Sequence, residues 1–308
     1  MVRYIIYRLV AAVPVVIGVT LAVFFMVRLV PGDPIDIMFA NQAPPTPEQR
    51  AAMRRQMGLD LPIHRQYLKF VADAARGDLG RSFRTQRPVM QEIKTRLPNT
   101  LKLTAASLVV AVLIGVSAGV AAATFRGTWI DNASVAVAIL GVSIPGFWLG
   151  LMAIMLFAVK LGWFPVSGAG TWRHLVLPAF TLGLLSSAIL ARLTRASMLD
   201  ALAGDYVRTA RAKGLREFWV VMRHALRNAL IPVITMLGLQ IGGLLSGAFI
   251  IESVFGYSGV GLLAVGALQT RDFPLIQGIV LLVALIYVGV NLLVDIIYAV
   301  VDPRISYS

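Results

Sequence analysis

No cysteine occurs anywhere in the 308 residues. That absence removes disulfides, thiolate nucleophiles and cysteine-based metal sites together, and it leaves the redox compartment open. Histidine is nearly as scarce: His64, His174 and His224 lie far apart, and no HExxH is present, so neither a metal centre nor a general base has a natural set of carriers. Hydrogen bonding at helix ends or at a membrane interface is the better use for each. There is no GxxxxGK loop followed by Ser or Thr, and no glycine precedes a lysine, so the chain lacks that route to ATP hydrolysis. No catalytic residue, no metal ligand and no cofactor of its own are expected. Charge itself is thin: 14% of residues are charged, against roughly 25% in ordinary soluble domains, while 58% are hydrophobic and mean hydropathy is +0.79. A membrane protein is expected.

What charge there is runs positive, with 28 Lys and Arg against 15 Asp and Glu for a net +13. A basic balance raises nucleic acid as a partner. These cations, however, lie between apolar runs, where anionic headgroups or acidic protein surfaces would meet them, so lipid bilayer is the expected neighbour and nucleic acid is not. A hydrocarbon core about 30 Å thick takes roughly 20 helical residues at 1.5 Å each. Six stretches qualify, approximately Leu9 to Val27, Leu103 to Thr124, Ala133 to Val159, Leu175 to Ala191, Ala229 to Ile251 and Ile276 to Val301. The fourth is the shortest and starts around Pro178. The expected fold is therefore all-α, with six transmembrane helices and both termini on one side.

The side follows from the Lys and Arg bias of short loops. With the N-terminus inside, the inner segments hold Arg3, Arg8, Arg126, Arg192, Arg195, six cations between positions 206 and 232, and Arg304, whereas the short outer loops hold Lys160, Arg173 and Arg271. Cytoplasmic termini are expected. The segment 31–98 then lies outside with about eleven cations, which counts for little because long loops cross largely regardless of charge. The first apolar run is longer than a signal-peptide core and ends in VRLVPGDP without an AxA-like site, so it is expected to be a retained helix. Three parts follow: residues 1–30 as an N-terminal membrane helix, 31–98 as a partly helical extracytoplasmic segment, and 99–308 as a five-helix core containing a cytoplasmic loop at 200–228.

The outer segment carries its own helix signals. TPEQ at Thr46 to Gln49 supplies an N-cap Thr, Pro at the first helical position and Gln three residues beyond the cap. Gly58 would end that helix, and a second would run from Pro62 to Gly77 with Tyr67, Phe70, Val71 and Ala74 on one face. That face would rest on the membrane domain or the headgroups, either as a surface cap or as a docking platform for a delivery protein.

Ion-coupled carriers bury charge near the bilayer midplane. Here Arg28, Arg192, Arg195, Glu252 and Asp295 cluster at span ends, which disfavours a proton or sodium carrier. GYSG at Gly256 to Gly259 matches the GxSG around the serine of rhomboid-like proteases, yet no histidine lies in a span to activate Ser258, so a turn is the better reading. Small and polar residues do occur within the spans: Thr235, Gly238, Gly242 and Ser246 share a face of the fifth, and VSIPG breaks the third at Ser143, Pro145 and Gly146. Close helix packing explains most of this pattern. A polar lining for a solute path is the second reading, since a prolyl break frees backbone carbonyls only where protein or water can meet them.

The densest cation cluster is YVRTARAKGLREFWVVMRHALRNALIP at 206–232. Tyr206, Val207, Ala210, Lys213 and Gly214 fit one short helix ended by glycine, with Arg208 and Arg211 on another face. A second amphipathic piece runs through Phe218, Trp219, Met222, Ala225 and Leu226 before Pro232 opens the next span. Such a pair of helices either holds anionic lipid through its arginines or fits a groove on a cytoplasmic partner.

This stretch resembles the cytoplasmic EAA-type loop of ABC importer permeases, and the whole chain is similar to the dipeptide/oligopeptide permease subfamily, close to its first permease subunit. The matching stretches are RLVPGDP, GDLGRSF at Gly77 to Phe83, RLPNTLKL, VSIPGFWLG, GWFPVSG, YVRTARAKG, HALRNALIPV, ESVFGYSGVGLL and DPR near the end. Counting back from Gly214 places Arg208, Thr209 and Ala210 where the general pattern has Glu-Ala-Ala, so only the last alanine matches, and the prolyl element arrives late at Pro232. The resemblance implies a bacterial inner-membrane permease subunit forming half of a peptide path. Its implied partners are a second homologous permease, two ATP-binding subunits that hold ATP and magnesium, and an extracytoplasmic substrate-binding protein. It also implies that Tyr206, Arg208, Thr209, Ala210, Arg211, Lys213 and Gly214 couple the ATPases to the spans. Without the resemblance, a stand-alone channel or secondary carrier remains the alternative.

Overall fold

In a computed structural model the described residues are 2–29, 35–36, 39, 45–56 and 58–301. Val30 to Pro34 of RLVPGDP, the DPR stretch with Arg304, and the side chains of Arg3 and Asp295 lie outside the described residues. Among those described, every extended element is helical, and the one strand-like pairing is an isolated bridge between Arg81 and Pro88. The helices are α1 (Val2–Arg28), α2 (Pro47–Gln56), α3 (Ile63–Ala75), α4 (Val89–Thr124), α5 (Trp129–Ser143), α6 (Gly146–Lys160), α7 (Trp172–Leu202), α8 (Asp205–Ala212), α9 (Glu217–Val254), α10 (Val260–Gln269) and α11 (Phe273–Val301).

Five of them, within α1, α4, α7, α9 and α11, are long and apolar enough to cross a membrane, and α5 with α6 makes a sixth span if the pair is counted as one. Several exceed the apolar runs that mark them. Helix α4 has 36 residues, about 54 Å at 1.5 Å each, against a core of about 30 Å. It begins at Val89 and passes through Pro98, α7 begins at Trp172 ahead of Pro178, and α9 begins at Glu217 ahead of Pro232. These prolines therefore do not open their spans as the sequence reading had Pro178 and Pro232 do. A hydropathy window sees only the lipid-facing length, whereas backbone hydrogen bonding continues into the polar flanks. The break expected at VSIPG is present: α5 and α6 meet at Ile144 and Pro145 with a bend of 104°.

Residue contacts divide the chain into two units, 1–98 with 263–308, and 99–262. In the first, α1 packs along α11, and α3 lies against α1. Phe24 of α1 is 1% exposed, with its ring 5.4 Å from that of Tyr67 and 6.0 Å from that of Phe70. Thr20 and Tyr67 share a hydrogen bond of 2.9 Å, and the Arg28 guanidinium stacks 3.5 Å from the Phe24 ring centre. The apolar face of α3 thus rests on a membrane helix through Tyr67 and Phe70. The capping box also forms, with Thr46 N–H donating to Gln49 Oε1 at 2.9 Å and Gln49 N–H to Thr46 Oγ1 at 3.3 Å. Asp272, ahead of α11, anchors the loop before α4: it accepts Ser82 Oγ–H at 2.5 Å and the N–H groups of Phe83 and Arg84 at 3.0 and 3.4 Å.

In the second unit α7 and α9 form the centre, with α5 and α6 against α7. One buried cluster joins Leu103, Ile154, Leu177, Leu182, Leu244, Ala248, Ile251 and Phe255. Glycines bring α4 onto α7 at backbone contact. A Cβ on Gly115 would stand 2.8 Å from Ser187 O, and one on Gly183 would stand 2.6 Å from Ser107 O, closer than any side chain permits. Large apolar side chains such as Val109, Leu113, Val137, Ile139 and Leu239 point outward, as lipid rather than water would favour.

Candidate functional site

Helix α8 is built by its ends. Gly204 is its N-cap in extended backbone, φ −70° and ψ 148°, and accepts the Val207 N–H at 3.0 Å. At the other end Gly214 takes φ +75°, while its N–H donates to Arg211 O at 2.9 Å and the Leu215 N–H reaches back to Ala210 O at 3.4 Å. This is the paired closure that a left-handed glycine makes at a helix C-terminus. The resulting helix is eight residues long. It could not hold itself in water, so packing must fix it.

That packing comes from one face. Val207 and Ala210 are buried in a cluster with Ala123 of α4, Met198 and Ala201 of α7, and Val220, Val221, Ala225 and Ala229 of α9. The other face is exposed: Tyr206, Arg208, Thr209, Arg211, Lys213 and Gly214 all point outward. Their described polar contacts stay within the turn. Thr209 Oγ1–H donates to Asp205 O at 2.9 Å, Arg208 Nη1 lies 3.5 Å from Asp205 Oδ1, and Arg211 clamps Glu217 through Nη2 at 2.6 Å and Nε at 3.1 Å. The Glu217 carboxylate holds the Arg211 guanidinium above its ordinary pKa. The seven residues expected to couple are thus brought together on one helix and its stop, six facing out and Ala210 facing in.

The second amphipathic piece differs from expectation. Val220 to Ala225 form a π-helical stretch within α9, and the residues packed inward are Val220, Val221 and Ala225. Phe218, Trp219 and Met222 are exposed instead. The wider turn shifts which side chains share a face, so a period of 3.6 selects the wrong stripe there. Next to α8 the surface therefore carries Leu215, Phe218 and Trp219 in the open, the last two in edge-to-face contact at 5.4 Å.

The residues considered for a path lining are dispersed. Ser143 and Pro145 are exposed beside the break, Gly238 and Gly242 are buried within the packing of α9, and Thr235 is half-buried while Ser246 is exposed. All three hydroxyls bond back to their own helices: Ser143 to Ile139 O, Thr235 to Ile231 O and Ser246 to Gly242 O, at 3.0, 3.1 and 3.2 Å. Gln240 of α9 escaped the sequence reading. It is buried, donates to Ser186 O at 3.3 Å, and leaves Oε1 without a partner among the described residues. A lone amide in an apolar run was the available signal.

Glu252, expected only as a charge at a span end, has a structural role that the sequence did not show. Fully buried at the end of α9, it accepts Thr100 Oγ1–H at 2.6 Å, Gly261 N–H at 2.6 Å and Leu262 N–H at 3.2 Å, while Thr100 Oγ1 accepts Val260 N–H at 2.8 Å. A Cβ on Gly259 would fall inside the carboxylate. Glu252 thereby caps the start of α10 from another helix, and Asn99 Nδ2–H holds the Ser258 carbonyl at 2.8 Å. The motifs RLPNTLKL and ESVFGYSGVGLL are halves of one junction, and the GYSG segment is its turn. Among the described residues no group of three or more His, Cys, Asp or Glu is placed to hold a metal.

A short helix buttressed on membrane-length helices, with its outer face bare, suits the membrane subunit of a transporter, and solved transporters share this fold. The MetNI methionine ABC transporter in inward-facing form matches with a TM-score of 0.58 at 21% identity, covering 69% of this chain and 97% of that one. An amino acid ABC transporter with histidines matches at 0.52 and 20%, covering 70% and 94%. Sequence carries the family: residues 111–307 match the binding-protein-dependent transport system inner membrane component, and residues 1–104 its N-terminal part. The chain belongs to this family of ABC transporter permeases, multi-pass proteins of the bacterial inner membrane. Among its relatives, the glutathione transport system permease protein GsiC of Escherichia coli O6:H1 is 45% identical over 308 residues, 100% of both chains, and GsiC of Shigella dysenteriae serotype 1 is 44% identical over the same span.

Proposed function

We propose that the chain forms half of the path of an ATP-driven importer of short peptides and that α8 takes up the movement of cytoplasmic ATPase subunits. The observation that carries this reading is the division of α8 into an inner face locked into the ends of α7 and α9 and an outer face left bare. A push on such a helix is passed to the spans. Full-length likeness to permeases named for glutathione, itself a tripeptide, supports the cargo class. Both termini and α8 lie on the cytoplasmic side and residues 31–98 outside, in keeping with the Lys and Arg bias of the short loops. Two ATP-binding subunits with ATP and magnesium, a second permease and an extracytoplasmic binding protein complete the assembly. Ser143 and Pro145 at the break, with Thr235, Gly238, Gly242 and Ser246 on α9, are the proposed path lining.

Purification of the complex from its native membrane, with mass spectrometry of the partners and uptake of glutathione, di- and tripeptides by vesicles, tests the reading. Uptake should need both ATP and the binding protein. The chain alone passing solute without ATP would establish the stand-alone channel instead.

A further inference from the structure

Asp131, in the first turn of α5, is 4% exposed and accepts Arg195 Nε–H at 2.6 Å and Nη2–H at 2.9 Å, with the Gly127 N–H as a third donor at 3.0 Å. The two-pronged geometry is the one a guanidinium fork makes best. Arg195 stands on α7 roughly three turns before α8 opens. Its backbone is wedged from the other side, because a Cβ on Gly119 of α4 would come 3.0 Å from the Arg195 nitrogen and 2.7 Å from Ala191 O.

From this pair, α5 runs antiparallel along α7. A Cβ on Gly141 would meet Ala188 Cβ at 3.2 Å, and one on Gly146, past the break, would meet Leu185 at 2.9 Å. Between these points the two helices do not fill the space. An open groove of about 350 Å³ lies there, lined by small and apolar side chains including Ala133, Val137, Leu184 and Ala188. Along an open groove the two helices lack the interdigitated side chains that would otherwise hold them in register. The ion pair is the directional tie at this end.

We infer that the Asp131–Arg195 pair makes α5 follow α7, so that a displacement of α8 travels up α7 and reaches the break at Ile144 and Pro145. The inference rests on the coupling role proposed for α8. Both are positioning residues, since they act through α5 and not on cargo. A tie of this kind converts a local push into the movement of a second element. Without it α7 moves, α5 lags, and ATP is hydrolysed without opening the path.

Two measurements on the assembled complex test this. In the first, peptide transported per ATP hydrolysed is compared for wild type, Asp131→Asn, Arg195→Gln, the double variant, and Arg195→Lys, which keeps charge but loses the fork. Each single variant should retain ATPase activity and lose transport per ATP on the order of tenfold, and the double should be no worse than either single. Uptake and ATPase falling in proportion, effects that add in the double variant, or failure of every variant to assemble would overturn the inference. In the second, spin labels on Trp129→Cys and Arg192→Cys, in a chain with no native cysteine, report the distance between α5 and α7. That distance should stay constant on adding a non-hydrolysable ATP analogue and should shift in the Asp131→Asn background. A shift already present without Asp131→Asn, or none with it, would also overturn the inference. The label distance needs no cargo, so a wild-type complex that fails to take up peptide counts against the peptide reading alone.

Discussion

Gly214 offers the sharpest test of the coupling helix, because its replacement changes one thing. Its φ of +75° is a conformation that costs an L-residue roughly 1–2 kcal/mol. A Cβ there would meet nothing within 4 Å, so no steric clash is added to that strain. The strain acts on the two closing bonds, Gly214 N–H to Arg211 O and Leu215 N–H to Ala210 O. A cost of 1–2 kcal/mol lowers the population of the closed turn by about 5- to 30-fold relative to competing conformers. Val should carry the full cost, Ala somewhat less, and Asn the least, because its short amide tolerates the left-handed region.

In reconstituted complexes, uptake and substrate-stimulated ATPase should fall together in the order Asn, Ala, Val, while copurification of the ATPases reports whether α8 still docks. Val207 and Ala210 stay buried in all three variants, so the membrane fold should survive. Normal uptake and normal ATPase in Gly214→Val would refute the assignment of α8 as the coupling element. So would a loss in Gly214→Asn as deep as in Gly214→Val, since that would remove left-handed strain as the cause.

Other outcomes follow from the same structure. Thr100→Val should leave the Val260 N–H and one Glu252 oxygen unpaired, costing about 1–3 kcal/mol for each orphaned group and lowering the melting temperature in detergent; an unchanged melt would mean the junction is not formed. Gly119→Leu should force α4 off α7 and abolish accumulation of the protein in the membrane, whereas Gly243→Ala, which meets nothing within 4 Å, should be tolerated. Asp272→Ala should release the loop that Ser82, Phe83 and Arg84 tie to it, read as new protease cleavage between Gly80 and Pro88; equal resistance would contradict the anchoring. Removing the exposed Arg211–Glu217 pair by Arg211→Ala should cost under about 1 kcal/mol of stability, so a large loss of uptake in that variant would point to a partner contact.

Much of this was legible from order alone. The apolar runs mark the five helices long enough to cross, and the bent pair that makes a sixth if counted as one, because a bilayer demands about 20 apolar residues whatever the fold. The Thr46 to Gln49 cap, the stop at Gly214 and the break at Pro145 were equally plain, since each is a local backbone requirement met within a few residues. The inward stripe after Gly214 was misread because a π-helical turn changes the period, and no single residue type announces one. Gln240 was passed over, and Glu252 was read only as a charge at a span end, for another reason: their meaning lies in partners far along the chain, Ser186 for the first and Thr100 for the second.

By itself the sequence determined where helices lie, how many can cross a membrane, and that a short basic helix stands between two of them. Those are properties of neighbouring residues and of the solvent around them. Only the tertiary structure decided that α8 is bare on one side and locked on the other, that Asp131 finds Arg195, and that two separate motifs close into one capped junction. Each of these depends on contacts between residues far apart in the chain, whose geometry no local rule of hydropathy or helix propensity contains.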